Sequence, residues 1–214
     1  MKRKFLALSA VLALMAGAAT AQNKTTFGVR AGVNFTNMNG EDEEGDKLDH
    51  NKMKVGFHVG VNAEIPLADE FFLQPGVLFS TKGTKIDAGG DPKINLSYIE
   101  VPVNFLYKAD LGTGKLLMGV GPYVGFGIGG KVKGDGADVD IKFKNDLGEE
   151  ELLDDNLYYK RIDMGGNLLF GYEFSNKFSV QLNAQLGLLN LDPKVMGEKP
   201  ESKVKNTGFG VSVG

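Results

Sequence analysis

The 214-residue chain carries 24 lysines and arginines against 27 aspartates and glutamates, a formal charge of −3 at pH 7, so it lacks the basic footprint that nucleic-acid binding requires. It contains no cysteine, which removes disulfides, thiol chemistry and a lipid-anchored N-terminal cysteine. At this length an all-β barrel is commonly a single domain.

Lys2, Arg3 and Lys4 form a basic n-region, Phe5 to Ala18 an apolar h-region, and Ala19-Thr20-Ala21 a small-residue cleavage site. This is the pattern of a secretory signal peptide. Residues 1–21 are expected to be removed, leaving one barrel domain over 22–214 that starts at Gln22 and sets 21 basic against 27 acidic side chains, a net −6. The N-terminal apolar run is shorter than the ~20 residues of a spanning helix, and no later run is long and uniform enough for one.

The first expected strand runs from about Thr26 to Thr36. Phe27, Val29, Ala31, Val33 and Phe35 lie on one face, with Gly28, Arg30, Gly32 and Asn34 on the other. An acidic loop, Asn37 to Asn51, follows and contains Glu41, Asp42, Glu43, Glu44, Asp46 and Asp49. The second strand, Met53 to Ile65, sets Val55, Phe57, Val59, Val61 and Ile65 against Gly56, His58, Gly60, Asn62 and Glu64, and Pro66 to Glu70 reads as a short turn. The third, Phe71 to Lys82, sets Leu73, Pro75, Val77 and Phe79 against Gln74, Gly76, Ser80 and Lys82, ahead of a longer polar connection, Gly83 to Lys93. The fourth, Ile94 to Lys108, places Ile99, Val101, Val103, Phe105 and Tyr107 opposite Glu100, Pro102, Asn104 and Leu106. Ala109 to Gly114 is a tight turn.

The fifth strand, Leu116 to Gly130, has no charge. Leu116, Met118, Val120, Pro122, Val124, Phe126 and Ile128 alternate with Leu117, Gly119, Gly121, Tyr123, Gly125, Gly127 and Gly129. A period of two is a strand period. As a helix the segment would bear glycines costing ~1 kcal/mol each and an interior proline costing ~3 kcal/mol. Its length suits a strand crossing a bilayer, which needs ~9–11 residues, better than the ~5–6 of a soluble core strand.

Lys131 to Leu157 is the longest connection, charged and rich in glycine and aspartate, with Asp135, Asp138, Asp140, Glu149, Glu150, Glu151, Asp154 and Asp155. The sixth strand, Tyr158 to Phe174, sets Ile162, Met164, Leu168, Phe170, Tyr172 and Phe174 against Asp163, Gly165, Asn167, Gly171 and Glu173. Ser175-Asn176 is a hairpin turn. The seventh sets Phe178, Val180, Leu182, Ala184 and Leu186 against Ser179, Gln181, Asn183, Gln185 and Gly187. A loop from about Asn190 to Lys203 leads to the eighth, Val204 to Gly214, with Phe209, Val211 and Val213 on its apolar face.

Eight strands joined by alternating long and short connections specify an all-β, eight-stranded antiparallel up-and-down transmembrane barrel. A soluble lipocalin-like barrel would put the apolar face inward around a ligand. Size favours the opposite: glycine, serine and asparagine suit a cramped lumen, and the bulky aliphatics suit lipid. Phe27, Phe35, Tyr107, Phe126, Tyr172, Phe174 and Phe178 fall near strand ends, as interfacial aromatic girdles do. Pro75, Pro102 and Pro122 each remove a ladder hydrogen bond, so bulges or a position near a rim are expected there.

FGVRAGVNFT (Phe27 to Thr36), FFLQPGVLFSTKG (Phe71 to Gly83), YIEVPVNFLYK (Tyr98 to Lys108), GPYVGFGIGGK (Gly121 to Lys131), DMGGNLLFGYEF (Asp163 to Phe174) and the closing GFGVSVG together resemble the PorT-like, porin-family outer-membrane barrels of Bacteroidota. The resemblance covers most of the mature chain and implies an eight-stranded outer-membrane barrel without an assigned activity. Such barrels usually end in an aromatic-x-Phe tail, whereas this chain ends at Val213-Gly214.

On the polar face, Arg30, His58 and Lys82 share the lumen with Glu64, Glu100, Asp163 and Glu173, joined by Gln74, Asn104, Asn167, Gln181, Asn183 and Gln185. Charges in a narrow lumen must pair, so a cross-lumen network acting as a structural plug is expected. Hydrolysis would need a serine within reach of His50 or His58, and no catalytic residue is expected. The acidic loops match no calcium-loop spacing, so no metal or cofactor is expected. The reading is a monomeric outer-membrane barrel with a structural or interaction role. It would contact membrane lipid and lipopolysaccharide, and its acidic loops would be open to an extracellular protein or glycan. A narrow passive pore and a soluble lipocalin-like binder are the alternatives.

Overall fold

The computed structural model describes residues 25–214 apart from 43, 49, 88, 89, 91 and 135–137. The expected signal peptide, Gln22 and the loop carboxylates Glu43, Asp49 and Asp135 lie outside the described residues. Period-two alternation builds five long strands in succession: β1 (Thr26–Glu41), β2 (Asn51–Ala68), β3 (Phe71–Ile86), β4 (Lys93–Leu111) and β5 (Gly114–Lys133). Three short strands follow, β6 (Val139–Phe143), β7 (Asp146–Leu147) and β8 (Leu157–Tyr159), with one helical turn, α1 (Glu149–Leu152), between β7 and β8. Then come β9 (Ile162–Glu173), β10 (Ser179–Gly187), the two-residue β11 (Lys194–Val195) and β12 (Lys203–Val213).

The eight long strands pair antiparallel in the order β1-β2-β3-β4-β5-β9-β10-β12, and β12 returns to β1 from Ala31↔Val213 to Glu41↔Lys203. The barrel is therefore closed and leaves no long edge unpaired, as a bilayer requires. The β2–β3, β4–β5 and β9–β10 turns lie at one end, with both chain ends of the barrel. The long connections, including β6 to β8, lie at the other.

The apolar face points outward. Val29 is 72% exposed, Val61 52%, Val120 54%, Phe170 52% and Leu182 55%, an apolar surface far larger than a water-soluble monomer tolerates. This inside-out arrangement excludes the lipocalin-like alternative. Near the turn end, Phe71 packs on Phe105 and Tyr107 with centroids 5.5 and 5.0 Å apart, and Phe174 packs on Tyr172 and Phe178 at 5.1 and 6.0 Å. The glycines face inward where strands come close: a Cβ on Gly121 would run into the backbone of Val103 and Asn104.

Several expected boundaries and features differ. β1 continues to Glu41, β3 to Ile86 and β5 to Lys133; polar residues continue these strands above the lipid, where the apolar alternation has no reason to persist. The sixth barrel strand begins at Ile162 rather than Tyr158, because Leu157–Tyr159 pairs parallel with β6 instead. The longest connection is thus built rather than bare: Val139, Ile141 and Phe143 alternate with charged residues in a strand that the surrounding acids conceal. The three prolines carry no bulge. Pairing lapses between Pro75↔Val103 and Leu78↔Glu100, and between Pro102↔Tyr123 and Phe105↔Val120, and resumes in unchanged register. They form a line across three neighbouring strands, so the lost bonds fall together in one seam. The register shifts lie elsewhere, at Met53/His58, Pro66/Ala68 and Ser97/Tyr98.

Two apolar clusters occupy the interior. Leu106, Leu117 and Leu169 form a thin layer with Phe72. At the loop end, Met38, Ile94, Leu96, Tyr98, Ile141, Tyr159 and Leu191 form a second core, with Ile86, Val132 and Phe143 against it. The β6–β8 excursion therefore packs Ile141 and Tyr159 against Met38, Leu96 and Tyr98 of the barrel at its loop end.

Candidate functional site

Alternation along each strand projects one polar side chain into the lumen every second residue, and closure brings them together from all sides. Lys82 on β3 lies at the centre. Its Nζ is 2.6 Å from Glu100 Oε1 on β4 and 3.2 Å from Asp163 Oδ2 on β9, with all three side chains almost wholly buried. It also lies over the Tyr123 ring, 4.3 Å from the centroid. Tyr123 Oη donates to Asp163 Oδ1 at 3.3 Å, Asn206 Nδ2 donates to Asp163 Oδ2 at 3.0 Å, and Gln185 Nε2 donates to Glu100 Oε2 at 3.2 Å. A buried ion triad is costly unless its other lone pairs are met. Here both Asp163 oxygens and Glu100 Oε2 accept hydrogen bonds, whereas among the described residues Glu100 Oε1 has the Lys82 ammonium alone and Asn206 Oδ1 is buried without a partner.

Toward the turn end Lys108 is the hub, 2.8 Å from Glu64 Oε2 and 2.5 Å from Glu173 Oε2. A relay of amides extends from it. Gln74 donates to Glu64 at 3.2 Å, Asn104 to Gln74 at 3.2 Å and Asn167 to Asn104 at 2.8 Å. Arg30 Nη1 donates to Gln181 Oε1 at 3.3 Å. His58 lies 2.6 Å by Nδ1 from Asn34 Oδ1 and 2.8 Å by Nε2 from Ser212 Oγ, to which Asn183 Nδ2 donates at 2.7 Å.

All thirteen residues of the expected lumenal set lie on the inner face, in four hydrogen-bonded groups rather than one: around Lys82, around Lys108, at Arg30–Gln181 and around His58. Lys108, Tyr98, Tyr123, Asn206 and Ser212 complete the groups and are not picked out by the sequence. Lys108 falls at an expected strand end, and nothing local indicates that a tyrosine hydroxyl meets a carboxylate on a distant strand. His58 pairs with Ser212, not Ser80; Ser80 instead accepts from Asn34 Nδ2 at 3.1 Å. His58 lines a cavity of about 30 Å³ shared with Arg30, Lys82 and Glu100. That is room for roughly one water. Among the described residues no cluster of histidines and carboxylates is arranged to hold a metal ion.

The profile of the outer membrane protein beta-barrel domain family matches residues 20–192. The chain belongs to that family. Its location is the outer membrane, and the outward hydrocarbon of this outer-membrane barrel is what such a location demands. No curated protein sequence matches it. Among solved structures it aligns with Neisserial surface protein A at 13% identity and a TM-score of 0.44, over 89% of this chain and 97% of that one. It also aligns with Ail, the attachment invasion locus protein of Yersinia pestis, in complex with the heparin analogue sucrose octasulfate, at 14% identity and a TM-score of 0.40, over 89% of this chain and 99% of the other.

Proposed function

We propose that this outer-membrane barrel is a non-catalytic monomer of the PorT-like, Bacteroidota type, whose role is structural and interaction-based. Residues 1–21 direct export and are removed, the lumen is a plug, and the long connections face outside, where the acidic loops meet a protein or glycan partner. Lipid and lipopolysaccharide surround the wall, and no cofactor takes part. The observation that carries this reading is the filling of the lumen: Lys82 and Lys108 each bridge two carboxylates across it, and the apolar cluster around Leu96 and Leu191 lies at its loop end. Barrels of ~8 strands have interiors that side chains fill, and closure of the sheet leaves no edge for a second copy. The test is planar-bilayer recording of the purified barrel together with surface labelling, in intact cells, of single cysteines introduced into the loops or the turns. The expected result is no sustained single-channel current and labelling at the loop end only. Steady large currents would overturn the plug, and labelling at the turn end would overturn the orientation. A narrow passive pore is the second reading, favoured by the polar, water-sized cavity beside Arg30 and His58.

A further inference from the structure

The loop-end wall carries a row of four lysines on four neighbouring strands. Lys52 stands opposite Lys85, Lys85 opposite Lys93, and Lys93 opposite Lys133. Ile86, Ile94 and Val132 pack into the inner cluster, so their neighbours Lys85, Lys93 and Lys133 point away from the lumen. Like charges directly opposite one another in a sheet destabilise it. Asp87 answers part of the row: it lies 2.5 Å from Lys52, and its carboxyl is held below its ordinary range by that hydrogen bond first and by Lys85 in addition. Among the described residues no carboxylate pairs with Lys93 or Lys133.

Beside the row lies a shallow, open groove on the outer wall. It is lined by Asn95, Ser97, Lys131, Lys133, Lys142 and Gly129, whose Cβ position meets nothing within 4 Å, and also by Asp140. Lys131 lies 3.5 Å from Asp140 and Lys142 3.4 Å from Asp154, which leaves Lys133 as its cation without a carboxylate partner among the described residues. Uncharged hydrogen-bonding groups beside the ammoniums of Lys93 and Lys133, which no described carboxylate neutralises, are the complement of a phosphorylated sugar. The height agrees. On their strands Lys85 and Lys93 lie six residues beyond the last bulky outward side chains, Phe79 and Ile99, while on the flanking strands exposed Val55 lies three residues from Lys52 and exposed Ile128 five from Lys133. At ~3.3 Å per residue and a tilt of ~40° these offsets set the row roughly 8–15 Å above the bulky apolar side chains, at the headgroup and inner sugars rather than at the acyl chains.

We propose that the lysine row and the groove beside it bind the phosphorylated sugar core of an outer-leaflet glycolipid. This source is favoured over a free glycan because the site lies on the outer wall, above the lipid belt, and not across the mouth. The inference rests on the proposed outward orientation of the long connections. The test is made in nanodiscs, where orientation in the cell plays no part, so its failure and a failure of loop labelling are separable.

The full barrel is placed in phosphatidylcholine nanodiscs with a trace of fluorescent lipopolysaccharide bearing core phosphates, and its enrichment at the protein is read by energy transfer. The Lys93→Gln/Lys133→Gln pair is expected to lower enrichment about tenfold. Gly129→Leu, which fills the groove from open space, is expected to lower it while leaving heat-modifiable migration unchanged. Removal of the core phosphates is expected to match the lysine variant. Equal enrichment with dephosphorylated glycolipid, or no effect of either variant, would overturn the proposal. Displacement by a soluble sulfated oligosaccharide that binds as tightly in discs lacking glycolipid would overturn the choice of source.

Discussion

Lys82 shows how a single lumenal side chain can decide the stability of the barrel. Its ammonium is buried between Glu100 and Asp163, so replacing it strands two carboxylates without water. Breaking a buried pair by removing one partner costs about 3–5 kcal/mol. Lys82→Met is therefore expected to lower the urea midpoint of the detergent-folded protein by that equivalent, and an unchanged midpoint would mean that the triad is not formed. Lys203→Gln, which removes the exposed partner of Glu41, is expected to leave the midpoint where it was, because exposed pairs contribute little. At this scale the sequence was informative about placement and silent about pairing. Strict alternation places Arg30, Lys82, Glu100 and Asp163 inside. Which charge meets which depends on the shear of the closed sheet, and no local pattern carries that.

Among the elements, the β5–β9 connection departs most from a bare charged loop, and its order can be titrated. Tyr158 Oη donates to Asp154 Oδ2 at 2.6 Å, and Asn156 donates to the same carboxylate from its backbone and its side chain. The tyrosine bond first, and the asparagine bonds after it, hold the Asp154 carboxyl well below the usual range, while the phenol is pushed up to about 12, chiefly by the same bond. The depressed carboxylate contributes stability that is present above its unfolded value of about 4 and lost as pH falls toward its folded one. The raised phenol contributes stability that is present below about 10 and lost as pH rises through its folded value. Spectrophotometric titration is expected to find Tyr158 titrating late and returning to about 10 in Asp154→Asn, while Tyr159, which burial pushes up, is unmoved by that substitution. A Tyr158 unmoved by the substitution would contradict the contact. A valine at Gly121, where the β4 backbone comes closest, is expected to prevent heat-modifiable folding altogether; normal folding would show that the two strands stand further apart.

The eight long strands were legible in the sequence because lipid imposes one requirement along each of them, bulk outside and small or polar groups inside. The β6–β8 excursion was not, since outside the membrane that requirement lapses and Ile141, Tyr159 and Leu191 are scattered among charges. The prolines misled for a related reason. A lone proline forces a bulge only where its neighbours keep a strict ladder, and here Pro75, Pro102 and Pro122 share one seam.

For the whole molecule the central claim is that lipid touches the bulky face. The chain has no tryptophan, so a single tryptophan can report on each face without background. In bilayers containing lipids brominated along the acyl chain, tryptophans at Val120 and Leu182 are expected to be strongly quenched, and one at Tyr123 is expected to be shielded. Strong quenching at position 123 with none at 120 and 182 would mean that the barrel is turned the other way, and the account would be wrong.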